Sequence, residues 1–426
     1  MLDIRLIREQ PDFVKSRLAT RGGEDVAKID EVLRVDAERR KAETALQQLN
    51  ADRKRLSKEI GGKRSRGESS EEIEVRVREI GDQISLLNEQ TSAVEERQKQ
   101  LLLGIANLPH ADAPVGKDSS ENPVVRTWGE KPGFGDPVLD HVALGTQLKL
   151  FDPERATKLS GSGFICFTGA GARLERALIQ FMLDLHTREH GYLEMSPPAL
   201  VRRECMVGTT QLPKFEEEMY GLENGQLFLA PTAEVQVTNF HREEILAAAE
   251  LPKKFVAYTP CFRREAGSAG RETRGIIRVH QFDKVELVKM TTPEESYAEH
   301  ESLTANAERV LQLLGLHYRV IELCTGDITF GSAKSYYIEA WSPGSRDGGA
   351  YLEVSTCSNF EDFQARRMNL RFKDAEGKNR FCHTLNGSGL ALPRVFAALI
   401  ETGQQPDGSV RIPEKLQPYF GAAEIR

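Results

Sequence analysis

Two stretches of the chain carry predominantly apolar positions at alternating spacings of three and four. The first is Val32, Val35, Arg39, Ala42, Leu46, Leu49, Arg53, Leu56 and Ile60. The second is Ile73, Val77, Ile80, Ile84, Leu87, Thr91, Val94, Gln98, Leu101 and Ile105. A three-four repeat lies on one helical stripe, so each stretch is a heptad seam that must bury that stripe against a partner. Glycines and serines in Gly61-Gly-Lys-Arg-Ser-Arg-Gly-Glu-Ser-Ser70 predict a break between them. Two seams joined by a short turn fold back as a long antiparallel coiled-coil hairpin over about residues 28–105, each arm spanning roughly 50 Å.

The pattern then changes. Residues 106–135, punctuated by Pro109, Pro114, Pro123 and Pro132, read as a linker. In the body, 136–426, residues 171–190 place Leu174, Ala177, Leu178, Phe181 and Leu185 on one side of a helix. Residues 294–315 and 390–402 also read as helices. Tyr192 to Val201 is extended, with Pro197-Pro198 interrupting regular ladder bonding. Strand-like runs follow at 227–229, 254–258, 284–290, 318–323, 336–340 and 351–355. Most neighbours among them have no crossover helix between them. That favours an α+β body built on a mainly antiparallel sheet flanked by helices.

The 426 residues are 39% hydrophobic, enough for a packed core, and ordinary glycine and proline counts exclude collagen or wholesale disorder. A formal charge of −7 argues against a general nucleic-acid scavenger and leaves RNA binding to a local patch. One patch stands out: Arg53, Lys54, Arg55, Lys58, Lys63, Arg64 and Arg66, opposed within that stretch only by Glu59. It suits a phosphate backbone, or else is a solvated helix face with salt bridges. The six cysteines form no C-x-x-C pair, and no Cys/His spacing suggests zinc. A charged start and no apolar run of 18 residues lead to the expectation of a reducing cytoplasm.

The densest polar cluster runs from Cys261 to Phe282. It holds Arg263, Arg264, Arg271, Arg274 and Arg278, with glycines, between two strand-like stretches. Guanidinium forks match phosphate oxygens two at a time, so a phosphate-gripping hairpin and a surface salt-bridge loop are both open. A P-loop and a dinucleotide fingerprint are absent.

Six motifs then narrow the choice: Thr232-Ala-Glu234, Phe262-Arg-Arg-Glu265, Thr325-Gly-Asp327, Glu353-Val-Ser-Thr-Cys-Ser-Asn359, Asp362-Phe-Gln-Ala-Arg-Arg367 and His383-Thr-Leu-Asn-Gly-Ser-Gly-Leu390. With the N-terminal hairpin, their order and spacing resemble bacterial-type seryl-tRNA synthetases, class II aminoacyl-tRNA synthetases. The resemblance covers nearly the whole chain. It implies a tRNA-binding domain at 1–105 and a catalytic domain at 136–426. The implied reaction joins ATP, L-serine and tRNA(Ser) through a seryl-adenylate, with tRNA(Sec) a further acceptor where a cell has one. Also implied are a homodimer whose interface includes Gly191 to Val201, and an arm that meets the tRNA through Arg53, Lys54, Arg55, Lys58, Lys63, Arg64 and Arg66.

Residue by residue, Arg263 resembles the arginine on the α-phosphate and the amino-acid carboxylate. Arg394 resembles the arginine on the γ-phosphate side. These two are the implied catalytic groups. ATP falls to Arg263, Glu265, Arg274, Phe282, Glu353 and Arg394, with Phe282 stacking on adenine. Serine falls to Thr232, Glu234, Arg263, Glu286, Asn386 and Ser388. Mg²⁺ falls to Glu353 and Thr356, since it prefers oxygen donors; no zinc is expected. Thr356 stands where the family more usually has serine, Arg264 where many relatives have a small residue, and Phe360 where cysteine is common.

Taken singly, these residues have plainer readings. Glu353 could be a surface carboxylate and Phe282 a core ring. Glu286 could pair with Lys284 or Lys289, and Asn386 could form a turn. His280 and His383 accompany no nucleophile elbow, and adenylation needs no histidine base, so packing is their expected role. Two rivals share the motifs in part. A carrier-protein ligase would tend to lack the long arm. A non-catalytic RNA-binding paralogue would have lost phosphate or metal groups.

Overall fold

The computed structural model describes residues 1–23, 25–134, 138–266, 275–345 and 348–426. Arg271 and Arg274 of the arginine cluster, and residue 136 where the body was expected to begin, lie outside these. The chain divides into two compact units, Met1–Ala106 and Asn107–Arg426.

In the first unit two short helices, α1 (Ile4–Glu9) and α2 (Pro11–Ala19), precede the hairpin of α3 (Asp25–Ser65) and α4 (Glu71–Leu103). The seam buries Leu56, Ile80 and Ile84, with Leu46, Leu49, Ile73 and Val77 packed against them. The break expected from Gly61 onward comes later, because α3 continues through both glycines to Ser65. A helical glycine costs about 1 kcal/mol relative to alanine, and the facing helix still offers Ile73 and Val77 to the seam. Packing therefore overrides propensity. Arg53, placed on the seam by the heptad count, is exposed. At the other end of the arm, Asp36 is 2% exposed. It accepts from Arg8 at 2.8 and 3.0 Å, Gln98 at 3.1 Å and Arg39 at 3.3 Å.

In the second unit eight strands form the main sheet: β1 (Val124–Trp128), β2 (Leu193–Met195), β3 (Lys253–Phe262), β4 (Gln281–Thr291), β5 (Tyr318–Glu322), β6 (Lys334–Ser342), β7 (Ala350–Asn359) and β8 (His383–Ala391). Their order is β1-β5-β6-β7-β8-β4-β3-β2, antiparallel throughout except for the parallel β2–β3 edge pair. Helices α5 (Gly169–Arg188), α7 (Ser296–Leu314) and α9 (Leu392–Gly403) share one core with the sheet. From the strands that core takes Val256, Val285, Leu287, Val320, Ile338, Val354 and Leu385. The opposite face is left to shorter helices, among them α6 (Glu234–Thr238) and α8 (Phe363–Met368).

The stretch expected to be a linker belongs to the second unit from Asn107 on and supplies β1. Its prolines interrupt the ladder locally but leave Val124–Trp128 free to pair with β5. The extended run at 192–201 forms two short strands in different sheets: Leu193–Met195 at the main edge, and Leu200–Arg202 against Leu227–Leu229. Strand β8 has no strand-like composition. Its glycines suggest a turn, and Asn386 with them, yet Asn386 pairs opposite Val288 within the sheet. No helix among the described residues is long and apolar enough to cross a membrane.

Candidate active site

On a regular strand, residues an even number apart share a face. Lys284 and Glu286 on β4, and Asn386 and Ser388 on β8, obey this and face a cleft of about 590 Å³, away from the α5, α7 and α9 core. Two bulges bring in the rest. Opposite the irregularity between Ile338 and Glu339, Val354 is the extra residue on β7, so Glu353 and Thr356 reach the same face. On β8 the register slips between Ser388 and Leu390. Gly389 takes the extra position, returning Leu390 to the core while Ala391, Pro393 and Arg394 line the cleft. A Cβ on Gly389 would meet His186 Nε2 at 3.0 Å, so the bulge has room only for glycine or a small local shift.

The cleft is lined by Thr232, Glu234, Arg263, Glu265, Phe282, Glu286, Glu353, Thr356, Asn386, Ser388 and Arg394. These are all the residues expected around ATP, serine and metal except Arg274, which lies outside the described residues. Arg263 follows β3, its backbone N–H on the His280 carbonyl at 2.9 Å. Its guanidinium lies over the Phe282 ring, 5.1 Å from the centroid. Phe282 is half-buried in the cleft rather than in the core. Glu265, at φ +49°, turns the chain out of the strand and accepts from Arg278 at 3.1 Å. His280 gives its Nδ1 to the Arg263 carbonyl at 3.1 Å.

Glu353 is the hub of one end. Thr356 donates to its Oε1 at 2.6 Å and Arg394 to its Oε2 at 3.2 Å. Arg394, in the first turn of α9, also donates to the Glu353 carbonyl at 2.7 Å. Withdrawal from water would raise the Glu353 carboxyl, but Arg394 and the Thr356 hydroxyl hold it below its usual range. At the other end Glu234 accepts from Gln364 of α8 at 2.7 Å, and Gln364 in turn accepts from Thr384 at 2.7 Å. Burial and then repulsion from Glu286 push the Glu234 carboxyl up to about 7. Glu286 lies 2.5 Å from Lys284 Nζ, so of its two possible lysine partners it takes this one. Lys289 goes to Glu299 at 2.6 Å.

Lys284 lines the cleft and Gln364 holds Glu234 in place, and sequence reasoning gave neither a site role. Period two from Glu286 puts Lys284 on the same face, and that signal was available. Nothing local marks Gln364, which reaches Glu234 across 130 residues of chain. Among the described residues no three His, Cys, Asp or Glu side chains gather as a metal-holding set. Glu353 and Thr356 instead offer two oxygens on one face, which suits an oxygen-preferring ion that keeps waters. On the arm, the seven basic residues are exposed except Lys63, which is half-buried. More than Glu59 opposes them: Arg55 pairs with Asp52, Arg64 with Glu74 and Arg66 with Glu68.

Residues 215–403 match the tRNA synthetase class II core domain (G, H, P, S and T). With the antiparallel sheet, this defines a class II aminoacyl-tRNA synthetase. Residues 1–109 match the seryl-tRNA synthetase N-terminal domain. The serine–tRNA ligase of Akkermansia muciniphila is 58% identical, covering 100% of this chain and 99% of that protein. That of Carboxydothermus hydrogenoformans is 51% identical over the same shares. Seryl-tRNA synthetase from Pyrococcus horikoshii, solved complexed with ATP, superposes with a TM-score of 0.92 at 40% identity, covering 100% of this chain and 99% of that one. The chain belongs to the seryl-tRNA synthetase family.

Proposed function

We propose that this cleft forms seryl-adenylate and that the chain, a serine–tRNA ligase, then charges tRNA(Ser), and tRNA(Sec) where a cell has one. A serine carboxylate oxygen attacks the α-phosphorus of ATP, and the bond to pyrophosphate breaks. A 3′-terminal ribose hydroxyl of the tRNA then attacks the seryl carbonyl, and AMP leaves. The reading rests on one observation: a buried acidic pocket and an arginine–carboxylate cluster share a single cleft. An ammonium group needs the first and a polyphosphate the second.

Arg263 meets the α-phosphate and the serine carboxylate, where negative charge must be held in line for attack. Arg394 takes the γ-phosphate side, aided by the positive end of α9. Phe282 stacks on adenine and Glu265 fixes its surroundings. Arg274 is assigned to ATP on its motif alone. Glu286 and Glu234 take the ammonium group. Thr232, Asn386 and Ser388 complete the pocket, with Ser388 reading the side-chain hydroxyl. A site built to bond that hydroxyl rejects alanine steeply. Glu353 and Thr356 hold Mg²⁺, which supplies charge neutralisation on the phosphates when bound.

Residues 1–105 act as the tRNA-binding domain and the body from about 136 as the catalytic one. The arm contacts the tRNA backbone and shape rather than base edges. The enzyme works as a homodimer in the cytoplasm. Exposure of Leu193 (64%) and Leu200 (45%) suits a subunit interface along 191–201.

The test is ATP–pyrophosphate exchange without tRNA, on serine, threonine, alanine, glycine and cysteine. Exchange with serine alone is expected. Strong exchange with another amino acid would overturn the pocket assignment, and no exchange at all would favour an RNA-binding role.

A further inference from the structure

Three charged side chains meet at the deep end of the cleft. Lys284 and Glu286 point from the same face of β4, with side chains only 8% and 3% exposed. Glu234 enters from α6 and is likewise buried, bonded to the neutral amide of Gln364. The pocket therefore sets two carboxyls against one lysine. Glu286 Oε2 lies 2.5 Å from Lys284 Nζ, so the ion pair holds this carboxylate beside the lysine in the empty site. Two carboxyls lining one end of a cleft away from water repel each other and take up a proton more readily unless a cation is near. A protonated pair is a poor receptor for an ammonium group.

We propose that Lys284 is the resident cation of the amino-acid pocket: a positioning residue that offsets the mutual repulsion of Glu234 and Glu286 while the site is empty and yields Glu286 Oε2 to the incoming ammonium group. The proposal rests on the serine reading above. The other titratable groups near the pair are Arg263 in the cleft, Cys261 of β3 and, from the core side of the sheet, Cys357 of β7. Burial pushes both thiols up, Cys357 to about 12, so neither adds charge.

The test is the amino-acid KM in ATP–pyrophosphate exchange, across about pH 6 to 9, for wild type, Lys284→Met and Lys284→Arg. Lys284→Met should raise the serine KM about tenfold or more near neutrality, with kcat changed less than about threefold. The defect should shrink as pH rises and the Glu234 carboxyl loses its proton, and Lys284→Arg should restore most of it. Unchanged KM with a fallen kcat would overturn the proposal by moving Lys284 to the reacting phosphate. A KM defect flat in pH would make it a packing residue. Lys284→Gln carries the same test if the methionine variant does not fold. Should wild type activate a different amino acid, the serine reading fails, yet the same profile with that amino acid still decides Lys284, because each brings the ammonium group.

Discussion

Thr356 donates its hydroxyl to Glu353 across 2.6 Å, although residues three apart on a regular strand point to opposite faces. The bulge at Val354 cancels the alternation and sets a carboxylate and a hydroxyl side by side. If these two oxygens hold Mg²⁺, Thr356→Val removes one donor without changing volume much. The Mg²⁺ concentration for half-maximal exchange should rise about tenfold or more, while Thr356→Ser stays near wild type. An unchanged Mg²⁺ dependence in the valine variant would remove Thr356 from the metal site.

Glu234 gives the cleft a pH dependence with a definite sign. Its carboxyl is pushed up to about 7 by burial and by Glu286. A raised acid favours folding in its neutral form. Its contribution is full below the unfolded value near 4.5 and is lost as pH rises through about 7. Serine's ammonium group prefers the ionised form, so binding near neutrality should release a proton and tighten from about pH 6 to 8. Calorimetry in two buffers of different ionisation enthalpy reads the proton directly. Glu234→Gln should abolish the release and weaken serine. Identical heats in both buffers for wild type would show that Glu234 does not titrate on binding.

The hairpin, the antiparallel sheet and much of the cleft lining, though not Lys284, were legible in the sequence, for two different reasons. A heptad seam is a local, repeated signal, and Val32, Leu56, Ile80 and Ile84 announce it without help from the rest of the chain. The cleft residues were legible only jointly, because Phe282 or Asn386 alone reads better as core or turn. What escaped was set by long-range contact. Strand β8 needs the neighbours β4 and β7 to hold a glycine-rich segment extended, and the bulges that aim Glu353 and Arg394 exist only once those strands pair. The helix through Gly61 and Gly62 likewise depends on the facing arm.

Asp36 is a buried polar link between α1 and the arm. Burial would raise its carboxyl, but Arg8, Gln98 and Arg39 overcome this and hold it below its usual range. A depressed acid stabilises the fold above its unfolded value near pH 4 and loses that contribution as pH falls through the folded one. Asp36→Ala would leave Arg8 and Arg39 facing each other without their shared acceptor. Because Arg8 is 32% exposed and water screens it, the expected loss is about 1 to 3 kcal/mol. Chemical denaturation followed by helical circular dichroism, in variant and wild type, measures it. The difference should narrow in acid, and a gap that persists below about pH 2 would mean that lost packing dominates.

The arm's basic stretch separates two kinds of charge. Arg55, Arg64 and Arg66 are engaged with nearby carboxylates, whereas Lys54 and Lys58 are exposed and form no ion pair among the described residues. Exposed pairs contribute little to stability, so replacing the two lysines should leave the fold intact. If they meet the tRNA backbone, each lost phosphate contact removes about 0.7 to 0.9 from the slope of log affinity against log salt. The Lys54→Ala, Lys58→Ala double variant should therefore bind tRNA(Ser) more weakly and with a slope shallower by roughly 1.5. Its serine-dependent pyrophosphate exchange should be unchanged, because that step uses no RNA. Filter binding across a salt series, beside the exchange assay, distinguishes the outcomes. Weaker binding with an unaltered slope would mean that the lysines shape the arm rather than touch phosphate, and a matching loss in exchange would deny the arm a dedicated RNA role.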